Sequence, residues 1–149
     1  MKLSHSLLAL ALFGAAGMAQ AAGNCTVSLK GDDAMKFDLK EATVSASCAT
    51  ITLELTHSAK LPAAAMGHNA VAKTADLAGV ARDGMKAGAA GAYVPAGDAR
   101  VIAHTALIGG GQKTKITFPG KKLTAGGDYS FFCSFPGHST LMKGKLVVT

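Results

Sequence analysis

Three side chains with sulfur or imidazole donors lie within ten residues of one another near the C-terminus. Cys133, His138 and Met142 follow the spacing Cys-x4-His-x3-Met. Thiolate and thioether sulfur select Cu(I), whereas imidazole binds copper in both of its oxidation states. Pro136 and Gly137 supply a turn, so a loop between two strands can direct the three donors at one point. The segment therefore predicts a metal site that suits copper.

A second imidazole, His68 in the upstream segment 66–69, completes this donor set. Two His, one Cys and a weakly bound Met are the ligands of a blue-copper electron-transfer site. Taken singly, His68 is more often a core or loop histidine, and Met142 more often fills a core. The four residues together indicate a metal site, because the thiol of an exported protein is oxidised unless it is paired, buried or bound to metal.

The N-terminus has the pattern of an export signal. Lys2 precedes the apolar run 7–13, which is too short to span a bilayer as a helix. Small residues follow and offer cleavage after Ala21 or Ala22. We therefore expect a signal peptide over residues 1–21 and a single domain over residues 22–149, soluble in the periplasm and not inserted in the membrane after cleavage.

Three cysteines in an oxidising compartment suggest one disulfide and one unpaired thiol. Cys25 and Cys48 would close a loop of about 24 residues near the mature N-terminus, although the spacing alone leaves the other two pairings open. Because Cys133 is the expected metal ligand, Cys25 and Cys48 remain as the predicted pair.

Strands of alternating polarity are expected to position these side chains. Turn signals that contain Gly, Pro or Asp separate five stretches. Apolar and polar residues alternate in these stretches, which are 25–30, 36–40, 51–57, 115–118 and 145–149. The pattern favours an all-β fold, a Greek-key β-sandwich or barrel. Helical spacing over residues 76–85, with Asp76 or Thr74 as the N-cap, predicts one short helix outside the sandwich.

Composition and motifs disfavour two other classes of function. Lys and Arg number 15 against 9 Asp and Glu, but they are scattered, aromatic residues make up 5% and Trp is absent. A nucleic-acid partner is therefore not expected. Cys133 and His138 could form the nucleophile and base of a hydrolase. Since no orienting acid is evident and Met142 would have no task, we do not expect an enzyme.

The segments 66–69 and 133–144 resemble those of the cupredoxins, the family of blue copper proteins, and the resemblance extends over essentially the whole mature chain. It implies a cupredoxin-like fold that binds one copper ion in a type 1 site. It also implies five metal-binding residues. His68, Cys133 and His138 would be the equatorial ligands, Met142 a distant axial ligand, and the Gly67 carbonyl would lie opposite Met142.

The resemblance further implies how the metal ligands are supported. The Asn69 side chain would bridge the two ligand loops, and backbone amides near Asn69 and Phe135 would donate hydrogen bonds to the Cys133 sulfur. Such bonds withdraw charge from the thiolate and tune the reduction potential. The chain departs from many family members at Ala70, where they bury a tryptophan.

By the same resemblance, we expect a monomeric carrier that cycles Cu(II)/Cu(I) and exchanges electrons through His138 with c-type cytochromes or a respiratory reductase. These partners would dock at an apolar patch around His138, formed by Met35, Leu61, Ala65, Met66, Met85, Phe135 and Gly137. The alternative is an exported copper or zinc chaperone or buffer. A chaperone favours open, exchangeable ligation, whereas ligands fixed at the rim of a sandwich favour retention.

Overall fold

The computed structural model describes residues 23–73 and 75–149. The predicted signal peptide lies outside these residues. The described part of the chain contains eight strands: β1 (Thr26–Gly31), β2 (Glu41–Val44), β3 (Thr50–His57), β4 (Val71–Lys73), β5 (Val101–His104), β6 (Lys113–Pro119), β7 (Tyr129–Phe132) and β8 (Lys143–Val148).

The strands form two sheets, with the orders β1-β3-β6 and β2-β8-β7-β4-β5. Two pairs, β1 with β3 and β2 with β8, are parallel, and the other pairs are antiparallel. The predicted all-β fold is therefore confirmed, as two sheets that do not close into a barrel.

Alternation of polarity places one face of each sheet in the core. Along β3 every second side chain is buried, beginning at Ile51 and ending at His57. The same core contains Leu29 of β1, Phe131 of β7 and Leu146 of β8. Fully burying a side chain of this size contributes about 1.5–3 kcal/mol relative to leaving it exposed. Burial of these side chains thus holds the two sheets against each other.

Two α-helices lie among the described residues, α1 (Ala63–Met66) and α2 (Leu77–Gly84). Within the same residues, four single-turn 3-10 helices span Met85–Ala87, Ala89–Gly91, Gly120–Lys122 and His138–Thr140. The predicted helix over residues 76–85 is confirmed as α2, and the Asp76 side chain caps it by accepting a hydrogen bond from the Gly79 amide at 2.9 Å. The alternative cap, Thr74, lies outside the described residues. Val80 anchors α2 in a small second cluster with Val71, Val94 and Phe132. The sequence pattern does not predict α1, which spans only four residues.

Arg100 connects α2 to the loop that follows it. Its guanidinium donates to carboxylate oxygens of Asp76 at 2.7 Å, Asp83 at 2.7 Å and Asp98 at 2.6 Å. These charge-assisted bonds hold the pKa of Asp98 at about 2, below its usual range. The contacts fix both ends of α2 at a position beside the C-terminal loops.

The cysteines divide as predicted. Cys25 and Cys48 form a disulfide, and Cys133 is unpaired and buried. Within residues 23–73 and 75–149, none of the helices has the length and apolar character needed to cross a membrane.

Candidate metal centre

Three buried donors converge at one end of the sandwich. One ligand atom each from His68, Cys133 and His138 lies within 4.8 Å of the others, and the three residues are 0–2% exposed. Cys133 Sγ is 3.6 Å from His138 Nδ1. His68 comes from the segment between α1 and β4, so the site joins parts of the chain that are 65 residues apart or more.

Local hydrogen bonds fold the C-terminal segment around these donors. Cys133 follows β7, and its amide donates to the Met142 carbonyl at 2.9 Å. Gly137 has φ +81°, a conformation that glycine adopts at little cost. The chain then turns back, so that the Met142 amide donates to the His138 carbonyl at 2.8 Å. The Cys-x4-His-x3-Met spacing thus corresponds to one compact loop.

Met142 and the Gly67 carbonyl lie near the three donors. Gly67 O is 3.0 Å from His68 Nδ1 and 3.8 Å from Cys133 Sγ. Met142 is fully buried. A Cβ on Gly31 would lie 2.7 Å from Met142 Cε and 2.6 Å from His68 Cδ2, so both side chains rest against that glycine. The sequence analysis did not single out Gly31.

A backbone carbonyl orients His68. His68 Nε2 lies 2.8 Å from the Asp32 carbonyl oxygen and Nδ1 lies 3.0 Å from the Gly67 carbonyl oxygen, so a backbone acceptor faces each ring nitrogen. A cation bound at Nδ1 would leave Nε2 as the donor to Asp32. The ring of His57 stacks on His68 with centroids 4.1 Å apart and planes 9° apart. His57 Nε2 is in turn 2.8 Å from the Met66 carbonyl. Neither Asp32 nor His57 was assigned to the site from the sequence.

Asn69 and Phe135 both interact with the segment that carries Cys133. The Asn69 side chain bonds the Ser134 backbone amide and hydroxyl, and the backbone amides of Asn69 and Phe135 donate to the Cys133 sulfur. Burial raises the pKa of the Cys133 thiol to about 11, although these two bonds oppose the shift. The thiol therefore remains protonated at neutral pH until a cation displaces its proton.

Both histidines of the centre are neutral at neutral pH. Burial, with a smaller contribution from the neighbouring histidines, lowers the pKa of His138 to about 4, and burial also lowers the pKa of His68. Two neutral imidazoles, one thiol and a nearby thioether form a donor set that fits copper. Zinc can use the same nitrogen and sulfur donors.

The residues of the expected apolar patch differ in their exposure. Leu61 is 42% and Met85 is 48% exposed. Ala65 and Gly137 are also exposed, whereas Met35, Met66 and Phe135 are partly buried. The Phe135 ring packs on His138 with centroids 4.7 Å apart. Leu141, which the sequence analysis did not single out, is 53% exposed, and its amide donates to the His138 carbonyl at 3.0 Å.

Ala70 is completely buried and belongs to the main core. The alanine at this position, where many family members bury a tryptophan, therefore changes the packing of the core and not the identity of the metal-site donors.

Comparison with known proteins agrees with this geometry. The family model for copper-binding proteins of the plastocyanin/azurin family matches residues 23–149. The azurin of Pseudomonas chlororaphis is 54% identical over 125 residues, which cover 83% of this chain and 98% of that protein. The azurin of Bordetella pertussis is 50% identical over 138 residues, 92% of each chain.

A solved structure is similar as well. It is an azurin, Az-iso2, from the methylotroph Methylomonas sp. strain J, with a TM-score of 0.80 and 40% identity over 84% of this chain and 98% of that one. The resemblance to cupredoxins inferred from the sequence is thereby confirmed.

Proposed function

The chain belongs to the plastocyanin/azurin family of copper-binding proteins, and on that basis we propose that His68, Cys133 and His138 bind its one copper ion. Convergence of these donors within 4.8 Å in a buried site is the observation that carries the proposal. Met142 and the Gly67 carbonyl are the proposed weaker ligands. Bound copper supplies one-electron chemistry by alternating between Cu(II) and Cu(I), and the protein functions in electron transfer.

The chain contributes a cage that holds its donors in place. The Asp32 carbonyl fixes the His68 ring, and the Asn69 and Phe135 amides fix and polarise the Cys133 sulfur. Because the two oxidation states of copper prefer different geometries, a rigid cage limits the rearrangement that accompanies each electron transfer. Hydrogen bonds to the sulfur also tune the reduction potential.

Electrons enter and leave through His138 in this proposal. The patch around its ring, with exposed Leu61, Met85 and Leu141, offers a small apolar contact surface. Small interfaces suit brief redox encounters. Its partners are redox proteins such as c-type cytochromes or a respiratory reductase, and the protein acts as a monomer.

The proposed role includes no catalytic turnover. Cys133 is completely buried and its thiol pKa is about 11, properties that do not suit a hydrolase nucleophile. A copper or zinc chaperone or buffer is the alternative use of the same donors. The burial of all three converging residues favours retention of the metal over its exchange.

A copper-loaded, oxidised sample tests the function by its absorption spectrum. An intense thiolate-to-copper band at about 600 nm is expected, and Cys133→Ser should abolish it. His104→Gln, which changes an exposed histidine outside the centre, should retain the band. A colourless protein that still binds copper tightly would favour the chaperone or buffer instead.

We also propose export to the periplasm, with residues 1–21 as a signal peptide and residues 22–149 as the mature domain. The short apolar run behind Lys2 and the small residues before Gly23 support this assignment. N-terminal sequencing of the protein from a periplasmic extract should begin at Ala22 or Gly23. A chain that keeps Met1 and stays in the cytoplasm would refute the assignment.

A further inference from the structure

A groove of about 240 Å³ separates α2 from the loop that carries His138. One wall consists of Ala78, Ala81, Arg82 and Met85. Their spacing of i, i+3, i+4 and i+7 places them on one face of α2 and of the turn after it. The opposite wall is formed by residues 134–137 and 139. The groove therefore adjoins the proposed exit for electrons.

The α2 wall of this groove carries one cation, Arg82. The Arg82 side chain is 75% exposed, and Lys86, in the turn after α2 and next to the lining residue Met85, is also exposed. Among the described residues that line the groove, none is a carboxylate. Arg82 Nε lies 3.6 Å from Asp83 Oδ1, but Asp83 Oδ2 accepts from Arg100 at 2.7 Å.

The carboxylates of this region are directed at Arg100 and not at the groove. Arg100 also engages Asp76 and Asp98. The three carboxylates thus each have a short ion pair with Arg100, whereas Arg82 lines the groove and has only the longer contact with Asp83. An exposed pair such as Arg82 and Asp83 contributes little attraction, so the Arg82 charge remains available to another molecule.

A third cation approaches the same loop from another element. Lys40, which precedes β2, places its Nζ 3.5 Å from the Leu141 carbonyl. Leu141 is itself exposed, and so is Lys143 two residues later. The apolar residues of the metal loop are therefore flanked by cations from two separate parts of the fold.

We propose that the groove between α2 and the metal loop docks an acidic protein surface, whose carboxylates pair with Arg82 and Lys86 while Met85 and Phe135 supply the apolar contact. The proposal rests on the proposed electron-transfer function and specifies the chemistry of its partner. Charges at the rim of an interface act mainly on the rate of association and on its salt dependence. The partner thus carries carboxylates around its own redox centre.

Oxidation of the Cu(I) protein by hexacyanoferrate(III), a trivalent anion, tests the charge of the groove. One electron passes from Cu(I) to Fe(III) and yields Cu(II) and Fe(II). Arg82→Glu should lower the second-order rate about three- to tenfold at low ionic strength, and Arg82→Gln should lie between it and the parent. Lys113→Glu makes the same change of net charge at an exposed site on β6 and should lower the rate less than about twofold.

A decaglutamate peptide tests whether the groove accepts a carboxylate surface. NMR titration of the metal-free protein should shift the amides of residues 81–86, 135 and 137–139 most, and Arg82→Glu should suppress these shifts. If hexacyanoferrate responds to Arg82→Glu while the peptide causes no such shifts, the groove attracts small anions and the docking proposal is wrong.

The two experiments separate the failure of this inference from failure of the proposed function. If the blue band forms and oxidation proceeds, but Arg82→Glu and Lys113→Glu have equal effects, only the docking proposal is overturned. If no copper centre forms, the proposed function fails, and the peptide titration of the metal-free protein still decides whether the groove binds an acidic surface.

Discussion

Asn69 and Ser134 exchange two hydrogen bonds although they lie 65 residues apart in the chain. The Ser134 amide donates to Asn69 Oδ1 at 2.9 Å, and Asn69 Nδ2 lies 2.7 Å from Ser134 Oγ. Both side chains also donate to the Ala92 carbonyl. Since Asn69 follows His68 and Ser134 follows Cys133, this buried network sets the separation of the two ligand segments.

Replacing Asn69 with Leu should destabilise the fold and loosen the centre. The substitution leaves the Ser134 amide without its partner in a buried site, a loss of about 1–3 kcal/mol in the free energy of unfolding. Urea unfolding of the metal-free protein measures this loss. In the copper-loaded protein, the reduction potential should shift, because the amides that donate to Cys133 belong to Asn69 and to the Ser134 loop.

Asn24→Leu is the matched control, since Asn24 donates to the Thr43 carbonyl from an exposed position. Its effect should stay within about 0.5 kcal/mol, as for most surface substitutions. Equal losses for the two variants would contradict a special role of the buried network.

The grouping of the C-terminal donors in one loop could be predicted from the sequence because their spacing is local. Cys133, His138 and Met142 lie in one loop, and the turn signal Pro136-Gly137 lies between them. The strands were predictable for a similar reason, since a period of two in polarity reflects burial of one face. The assignment of His68 to the same site required either the complete donor set or the family resemblance, because no local sequence pattern connects His68 to Cys133.

The contributions of Asp32 and Gly31 were not predictable. Asp32 acts through its backbone carbonyl, which every residue possesses, and Gly31 acts through the absence of a side chain. Both depend on how closely β1 approaches the ligand loops, a property of the packed sheets. The short helix α1 has neither the length nor the caps that make a helix recognisable.

Gly31→Ala should weaken metal binding more than it weakens the fold. The added Cβ would lie 2.6 Å from His68 and 2.7 Å from Met142, closer than non-bonded carbons approach, so at least one of these side chains must move. We expect about a tenfold or greater loss of copper affinity, comparable to loss of an outer-shell contact. Competition with a chelator of known affinity measures it.

Gly126→Ala serves as the control for Gly31→Ala. Gly126 has φ +73° in an exposed turn before β7, so alanine there is strained without any contact at the centre. Its unfolding midpoint should decrease by an amount corresponding to about 1 kcal/mol, with copper affinity unchanged. A Gly31→Ala protein with unaltered copper affinity would show that the centre tolerates the methyl group.

Removing the disulfide should destabilise the protein without affecting the metal. Cys25 and Cys48 are 23 positions apart, and closing a loop of that length contributes about 3 kcal/mol in the chain-entropy model. The double variant Cys25→Ala/Cys48→Ala should lose about that much in urea unfolding, while the absorption of the copper form stays the same. A loss below about 1 kcal/mol would disagree with the model.

Zinc affinity of the metal-free protein should increase with pH. The Cys133 thiol, with a pKa of about 11, must release its proton to bind Zn²⁺, whereas His138, with a pKa of about 4, is already neutral. The apparent dissociation constant should therefore fall about tenfold per pH unit between about pH 6.5 and 9. Calorimetric titrations at several pH values measure the slope, and Cys133→Ser should remove it. A parent protein without this slope would show that Cys133 does not bind the metal.

Arg100 should make the stability of the metal-free protein depend on pH in acid. Its hydrogen bonds lower the pKa of Asp98 to about 2, and its side chain also lowers the pKa values of Asp76 and Asp83. A carboxylate with a depressed pKa in the folded state stabilises the fold above its unfolded pKa of about 4, and this contribution is lost as the pH falls towards 2. The urea midpoint of the parent should decrease over this window, and Arg100→Gln should roughly halve that decrease.

Arg82→Gln is the control, because Arg82 contacts only one of these acids, Asp83, at 3.6 Å. This variant should retain the steep decrease of the urea midpoint. If it flattens the pH profile as much as Arg100→Gln does, the depressed pKa values do not originate in the Arg100 network.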